Sequence, residues 1–588
     1  MFRRLRGTFI PGLISLLCFG QSNHGQPVPS PTPATAGNIV SLSPQTASSG
    51  QSAGTSVSDS SVALSSMPNL LGEAIALYRK GDFDGALAKY QAVLQQKPKS
   101  PDAWAGLIRV YLKQKKVDQA SHTADQARAL SDAPRIRVAH GEVLFRQGRI
   151  DEADKEWVGV VNSGYPEARA YLGLARVYRT AAMYKSAEKM ILKAHTIDPT
   201  DPDIQRRWMG TLSRSERIKY LEDALAGENN WDAEERENTA EYLQYLKERA
   251  KRKVPPCRLV SKVTATETPL VRLMSDPKHL RGYGLSVVLN GHKNSLMLDT
   301  GASGIVVRRG IAEKAGISKV TATKIGGIGD KGRKNAYVGI ADSVKIGDLE
   351  FQNCPIEVME SRSVVDEDGL IGADVFEDFL VDIDFPNEKL RLGELPKRPG
   401  ESEMKPALKD EEDDSDEAQP AEPSDNSKAP DAKSSLPAHR PGPQDRYIAP
   451  EMRSYTRVLR FGHQLLVPTK IGDVPSKLFI LDTGAFNNSI SPAAAREVTK
   501  VHGDSDTTVK GISGAMDKVY SANKAVLQFG RLRQENQDMI GFDTTMISDS
   551  TGTEVAGFLG FAMLRFLEIK IDYRDALVDF SYDWKRWH

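Results

Sequence analysis

Ser295-Leu-Met-Leu-Asp299-Thr300-Gly301-Ala302-Ser303-Gly-Ile-Val-Val307 is an apolar run that ends in Asp-Thr-Gly-Ala and then turns apolar again. The pattern returns 183 positions downstream as Lys477-Leu-Phe-Ile-Leu-Asp482-Thr483-Gly484-Ala485-Phe486-Asn-Asn-Ser-Ile490. One Asp-Thr-Gly carries little information, since at average residue usage a chain of this length holds roughly 0.1 by chance. Two copies with the same apolar lead-in point to a duplicated unit that presents a carboxylate twice.

The surrounding regions, 254–395 and 447–588, consist of short alternating apolar runs separated by Gly, Asn and Asp. Gly284-Leu-Ser-Val-Val-Leu-Asn-Gly291 is one such run with its turn, the signature of a β-strand. Two further blocks recur in the same order. A Gly-rich segment follows each aspartate by 28 or 29 residues: Ile325-Gly326-Gly327-Ile328-Gly329, then Lys510-Gly511-Ile512-Ser513-Gly514. An apolar pair closed by glycine follows by 73 and 78 residues: Gly369-Leu370-Ile371-Gly372, then Gly557-Phe558-Leu559-Gly560. Asp384-Phe385 and Asp572-Tyr573 each lie twelve residues beyond that last glycine.

These matched blocks resemble the pepsin/retropepsin-type aspartic proteases, with both lobes on one chain. The resemblance implies an all-β bilobal acid-protease fold and a catalytic pair, Asp299 and Asp482. It implies that Thr300 and Thr483 interlock beneath the pair, and that Gly372 and Gly560 support its turns. The Gly-rich segments resemble retroviral flaps, with Gly326, Gly327, Ile328 and Gly329 in one copy and Gly511, Ile512, Ser513 and Gly514 in the other. Two copies imply two flaps, as in a retroviral dimer, where pepsin has one. Tyr337 is only a loose match to pepsin's flap tyrosine. Ala302 and Ala485 replace the Ser or Thr of pepsin-like enzymes, as in retroviral proteases.

The chemistry explains the residue types. Two carboxyls held close cannot both ionise, so they share one proton. One takes a proton from a water, the other donates to the peptide carbonyl, and no covalent intermediate, metal or cofactor is needed. The two pKa values belong to the pair. Gly301 and Gly484 admit close backbone approach, and their amides can donate to the carboxylates. Loss of a hydroxyl donor at Ala302 and Ala485 predicts a raised pair and work at mildly acidic to near-neutral pH. The implied substrate is a peptide or protein. Lys324, Lys331 and Arg333 near the first flap read as a solvated charged face, with selection of acidic peptides as the other reading.

The N-terminal half differs. Ala86, Ala120, Ala153 and Ala187 recur at steps of 34, 33 and 34 residues within paired amphipathic helical patterns. This period resembles the tetratricopeptide repeat over 69–207, an α-solenoid whose groove implies a protein partner. Helical residues 208–253 read as a cap and bridge. Residues 396–446 form an acidic, Pro/Ser-rich linker centred on Lys409-Asp-Glu-Glu-Asp-Asp-Ser-Asp-Glu417. Residues 21–68 are a Ser/Thr/Pro-rich leader without the apolar content to fold.

Arg3, Arg4 and Arg6 precede a short apolar run, Thr8 to Phe19, which reads as a signal peptide over 1–20, cleaved after Gly20. The expectation is an exported, periplasmic or extracellular protein without a stable membrane span. Leu17 makes Cys18 a poor lipidation site. Cys257 and Cys354 then remain, either as a disulfide or as two buried thiols. Neither has metal-site spacing. The formal net charge of zero argues against nucleic-acid binding. The competing reading is a repeat-based protein-binding scaffold with a catalytically silent protease-like fold.

Overall fold

The computed structural model describes residues 19–22, 69–227, 231, 233–252, 257–360, 368–399 and 445–586. Residues 1–18 of the signal segment, 23–68 of the leader and 400–444 of the linker lie outside these. Phe19–Ser22 forms a short strand paired antiparallel with Thr507–Lys510. No helix among the described residues is long and apolar enough to cross a membrane.

Eight helices from Leu70–Lys80 to Tyr184–Ile197 form four antiparallel pairs. The four periodic alanines sit one turn into the second helix of each pair and are buried. Within each pair the turn passes through a left-handed residue: Gly81, Lys115, Gly148 and Ala182. Packing within and between pairs is knob against gap. A side chain on Gly106 would start 2.2 Å from the Tyr90 ring. Trp157, fully buried, fills the space left by Gly141 and Gly173, where side chains would start 2.6 and 2.3 Å from the indole. Pro202–Trp208, Arg214–Ala226 and Ala233–Arg252 continue the helical run.

Among the described residues the β half has three large sheets and a fourth of three short strands, Phe19–Ser22, Thr507–Gly511 and Gly514–Ala515. A nine-stranded sheet belongs to the first lobe and an eight-stranded sheet to the second. A six-stranded sheet is shared, with each lobe supplying three strands. It is joined where Phe379–Asp384 pairs antiparallel with Leu567–Asp572, so both Asp-aromatic blocks end central strands. The lobes also share one apolar core. Within it Tyr283 stacks on Phe385 at 5.6 Å, and Phe561 of the second lobe meets both edge-on.

Three tethers complete the assembly. Cys257 and Cys354 form a disulfide that fastens the first β segment to the strand Leu349–Met359. The solenoid docks on the second lobe: Thr553 Oγ1 donates to the Phe145 carbonyl at 2.7 Å, Glu554 N to that of Arg146 at 2.8 Å, and Arg146 pairs with Asp549. The linker is shorter than its composition suggests, because its ends are held. Buried Asp575 binds Arg398 on one side and accepts from Tyr447 N at 3.0 Å on the other. Composition reports the average of a segment and misses single anchoring residues at its edges.

Gly173→Ala forces a methyl into the Trp157 indole and should cost about 1–3 kcal/mol. Gly210→Ala, with open space around the added carbon, should be near neutral. Urea unfolding of the two variants checks the difference.

Candidate functional site

Each aspartate ends a strand flanked by two others. Leu296–Asp299 runs parallel to Gly369–Gly372, which pairs antiparallel with Ile305–Val307. In the second lobe Phe479–Asp482 runs parallel to Gly557–Gly560, which pairs antiparallel with Ser489–Ile490. Gly372 and Gly560 stand directly beside Asp299 and Asp482. They have no room for a side chain: one on Gly372 would meet the Ala302 carbonyl oxygen at 2.5 Å, one on Gly560 the Asn487 carbonyl oxygen at 2.3 Å.

The two aspartate turns then interlock. Thr300 N donates to Thr483 Oγ1 and Thr483 N to Thr300 Oγ1, each at 3.0 Å. The hydroxyls pass the bonds on, Thr300 Oγ1 to the Leu481 carbonyl at 2.8 Å and Thr483 Oγ1 to that of Leu298 at 2.9 Å. Four bonds therefore join two segments 183 residues apart in the chain.

Both carboxyls are fully buried. Gly301 N donates to Asp299 Oδ1 at 2.8 Å, while Gly484 N and Ala485 N donate to Asp482 Oδ1 at 2.9 and 2.8 Å. The two Oδ2 atoms are buried without a protein hydrogen bond. Burial lifts Asp299 from its ordinary 3.8 to about 7, against the pull of the Gly301 amide. Burial, and next the charge of Asp299, lift Asp482 well above its ordinary value. A raised pair agrees in direction with the expectation drawn from Ala302 and Ala485, but burial is the larger cause.

The Gly-rich segments close over this pair. In the first lobe the hairpin of Lys319–Ile325 and Lys334–Ile346 carries Gly326–Gly329 at its tip. In the second, Thr507–Gly511 and Gly514–Ala515 flank Ile512 and Ser513. The tips bond to each other: Gly327 N to Ser513 Oγ at 3.0 Å, Ser513 N to the Ile328 carbonyl at 3.0 Å, and Lys331 N to the Ser513 carbonyl at 2.9 Å. Gly329, at φ +127°, passes so close to Gly514 that a side chain would start 2.5 Å from its backbone. The isoleucines exchange sides. Ile328 joins the apolar cluster that the second lobe shares with the solenoid, and Ile512 joins the first lobe's cluster that holds Met297, Ala302 and Leu370.

Residues 285–375 match the family model for aspartyl proteases. Residues 77–137 match that of the tetratricopeptide repeat. The architecture is thus a tetratricopeptide-like helical run followed by an aspartic-protease-like β region. The UBA domain-containing protein Mud1 of Schizosaccharomyces pombe is 33% identical over 124 residues, 20% of this chain and 36% of that protein. The chain therefore spans about a third of that curated relative's length. A retropepsin-like aspartic protease from Rickettsia conorii is 24% identical, covering 23% of this chain and 94% of its own, with a TM-score of 0.17. The aspartic proteinase from Irpex lacteus is 12% identical, covering 54% of this chain and 98% of its own, with a TM-score of 0.32.

Several contributors to this protease-like site escape the duplication. His463, buried, places Nε2 3.1 Å from the Gly301 carbonyl oxygen. Asp374 accepts from Ser303 Oγ and Gly304 N, each at 2.9 Å, and so holds the chain just past the first Asp-Thr-Gly. In the second lobe Asn488 accepts from Gly560 N at 2.8 Å. The matching positions in the other copy hold other residue types, Arg281 for His463 and Ala562 for Asp374, so a search for repeated blocks passes over them. Tyr337 packs into the first lobe's core, away from a flap role. Lys331 is exposed and Lys324 partly so, as a charged face requires, while Arg333 is more covered. Lys324 pairs with Glu237, and Arg333 with Asn238 and Glu241, all on the helix Ala233–Arg252.

A carboxyl raised by folding binds its proton more tightly in the folded than in the unfolded state. Its contribution is complete below 3.8 and is lost as pH rises through about 7. The double variant Asp299→Asn/Asp482→Asn escapes that loss. Its Tm advantage over the native chain should widen from pH 4 to pH 7.5 in thermal melts; a constant difference contradicts the assignment.

Proposed function

We propose that the chain is an aspartic endopeptidase whose pair is Asp299 and Asp482. The observation that carries this reading is the pair of buried carboxyls with free Oδ2 atoms, held at the lobe junction beneath two joined flaps. In the singly protonated pair, the ionised carboxyl takes a proton from a water that attacks the peptide carbonyl carbon. The protonated carboxyl donates to the carbonyl oxygen. The tetrahedral intermediate then collapses with cleavage of the C–N bond, and the nitrogen leaves as an amine after taking a proton from the pair.

Flap closure supports a peptide as substrate. With Ile328 and Ile512 buried and the tips bonded, the cleft must open for a chain to enter, then close over it. An extended peptide offers its backbone to the flap amides and alternate side chains to the apolar walls. The flap residues 326–329 and 511–514 are the substrate-contacting set in this reading. The solenoid recruits a protein substrate or partner, as helical repeats of this kind generally do. Export to the periplasm or outside the cell is supported by the basic-then-apolar N-terminus and the Cys257–Cys354 bridge.

The test is digestion of a mixed peptide library, with and without pepstatin, read by mass spectrometry. The native chain should cut, pepstatin should suppress the cuts, and Asp299→Asn or Asp482→Asn should abolish them with an unchanged circular dichroism spectrum. Cleavage unaffected by either substitution rules the pair out. The rate should peak at mildly acidic to near-neutral pH. It falls on the alkaline side as the pair loses its shared proton and on the acid side as it gains a second. A maximum below about pH 3, near the lower value typical of pepsin's pair, contradicts the raised pair.

A further inference from the structure

The charged side chains of the solenoid include two contrasting groups. One is buried and paired. Buried Arg169 bonds Asp201 and Asp203 at 2.7 Å and Glu142 at 3.3 Å. Glu142 also holds Arg109 at 3.1 Å, and Asp203 holds Lys113 at 2.8 Å. The other group is three arginines left over: Arg176 and Arg179 in the last turns of Ala168–Thr180, and Arg207 near the end of Pro202–Trp208. None of the three makes an ion pair among the described residues. The nearby carboxylates, Glu142 and Asp203, are the ones already engaged.

Arg176 sits over the Phe145 ring at 4.0 Å and reaches toward Gly552 of the second lobe. It therefore lies where the solenoid faces the β half. Arg179 and Arg207 are exposed. The surrounding protein, then the charges of Arg176 and Arg179, push the Arg207 guanidinium down to about 9.

The chain carries the complementary charge, and the residue at which its described structure resumes lies beside that face. Residues 400–444 lie outside the described structure, and 410–417 hold seven carboxylates in eight positions. The segment returns at Asp445, which accepts from Ser186 N at 2.8 Å and Ser186 Oγ at 2.9 Å. Ser186 is in the first turn of Tyr184–Ile197, joined to Ala168–Thr180 by three residues. The returning chain is thus pinned to the end of the helical hairpin that bears Arg176 and Arg179. Both borders of the segment converge on Asp575, through Arg398 and Tyr447. Asp410 is eleven residues past Pro399, an extended reach of about 35 Å at 3.3–3.6 Å per residue.

We infer that the arginine face of the solenoid, Arg176, Arg179 and Arg207, is a docking surface for the chain's own acidic segment 409–417. The solenoid end beside the second lobe is then self-occupied, and an acidic partner must displace that segment to bind.

The experiment uses the full chain and a fluorescent synthetic peptide of residues 409–417, followed by anisotropy at low salt. A second chain has the seven carboxylates of 410–417 changed to amides. The amide chain should bind the peptide, and the native chain at least about tenfold more weakly, because its tethered copy competes at high effective concentration. Added salt should weaken binding. Arg176→Gln, Arg179→Gln and Arg207→Gln together, in the amide chain, should abolish it. Should that triple variant melt early, the exposed single change Arg179→Gln should still weaken binding. Equal binding by native and amide chains would overturn self-occupation. So would no binding by the amide chain, or binding that survives loss of the arginines.

Discussion

Each aspartate carboxyl occupies the space that the opposite glycine leaves empty. A side chain on Gly301 would start 2.7 Å from Cγ of Asp482, and one on Gly484 would start 2.5 Å from Cγ of Asp299. Two buried carboxyls can approach this closely only if both backbones are bare at that point, and only if something resists their repulsion. The crossed threonine bonds supply that resistance from below. The shared six-stranded sheet and the common aromatic core supply it on a larger scale. The lobes therefore do not merely adjoin. Their spacing is set at the junction to within the width of a methyl group, and the sheets follow from it.

What was legible in the sequence is what repeats. The aspartate turns, Gly-rich tips and apolar-apolar-Gly strands recur because both copies solve the same steric problem, and residue types alone expose such a constraint. The alanine period of the solenoid is legible for the same reason. What occurs once was not legible. His463, Asp374 and Asn488 hold the site through single bonds that give no periodic signal. The exchange of Ile328 and Ile512 between lobes depends on how the hairpins lean, which no local pattern encodes. Lys324 and Arg333 looked like ordinary surface charge because their partners are almost a hundred residues away, on a helix that sequence periodicity assigns to another domain.

That helix makes the helical and β halves parts of one structure. Tyr242, Tyr245 and Leu246 pack with Val338 of the flap hairpin, and ion pairs fasten Lys324 and Arg333 beside them. Near the middle of the helical run, Phe145 and Arg146 bond to Thr553 and Asp549 of the second lobe. The helical run thus spans from one lobe to the other along the outside of the cleft, so rearrangement of its helices bears on both walls.

Joining two lobes in one chain has a consequence for how such a cleft can diverge. In a two-fold homodimer every substitution appears twice, so a residue that improves one wall must also suit the other. Here the copies are independent. The first lobe spends its flap charges on a helix and has Asp374 behind its aspartate turn; the second has Asn488 there and a flap without those ties. One wall is free to change without the other, so the two sides of the cleft need not stay alike.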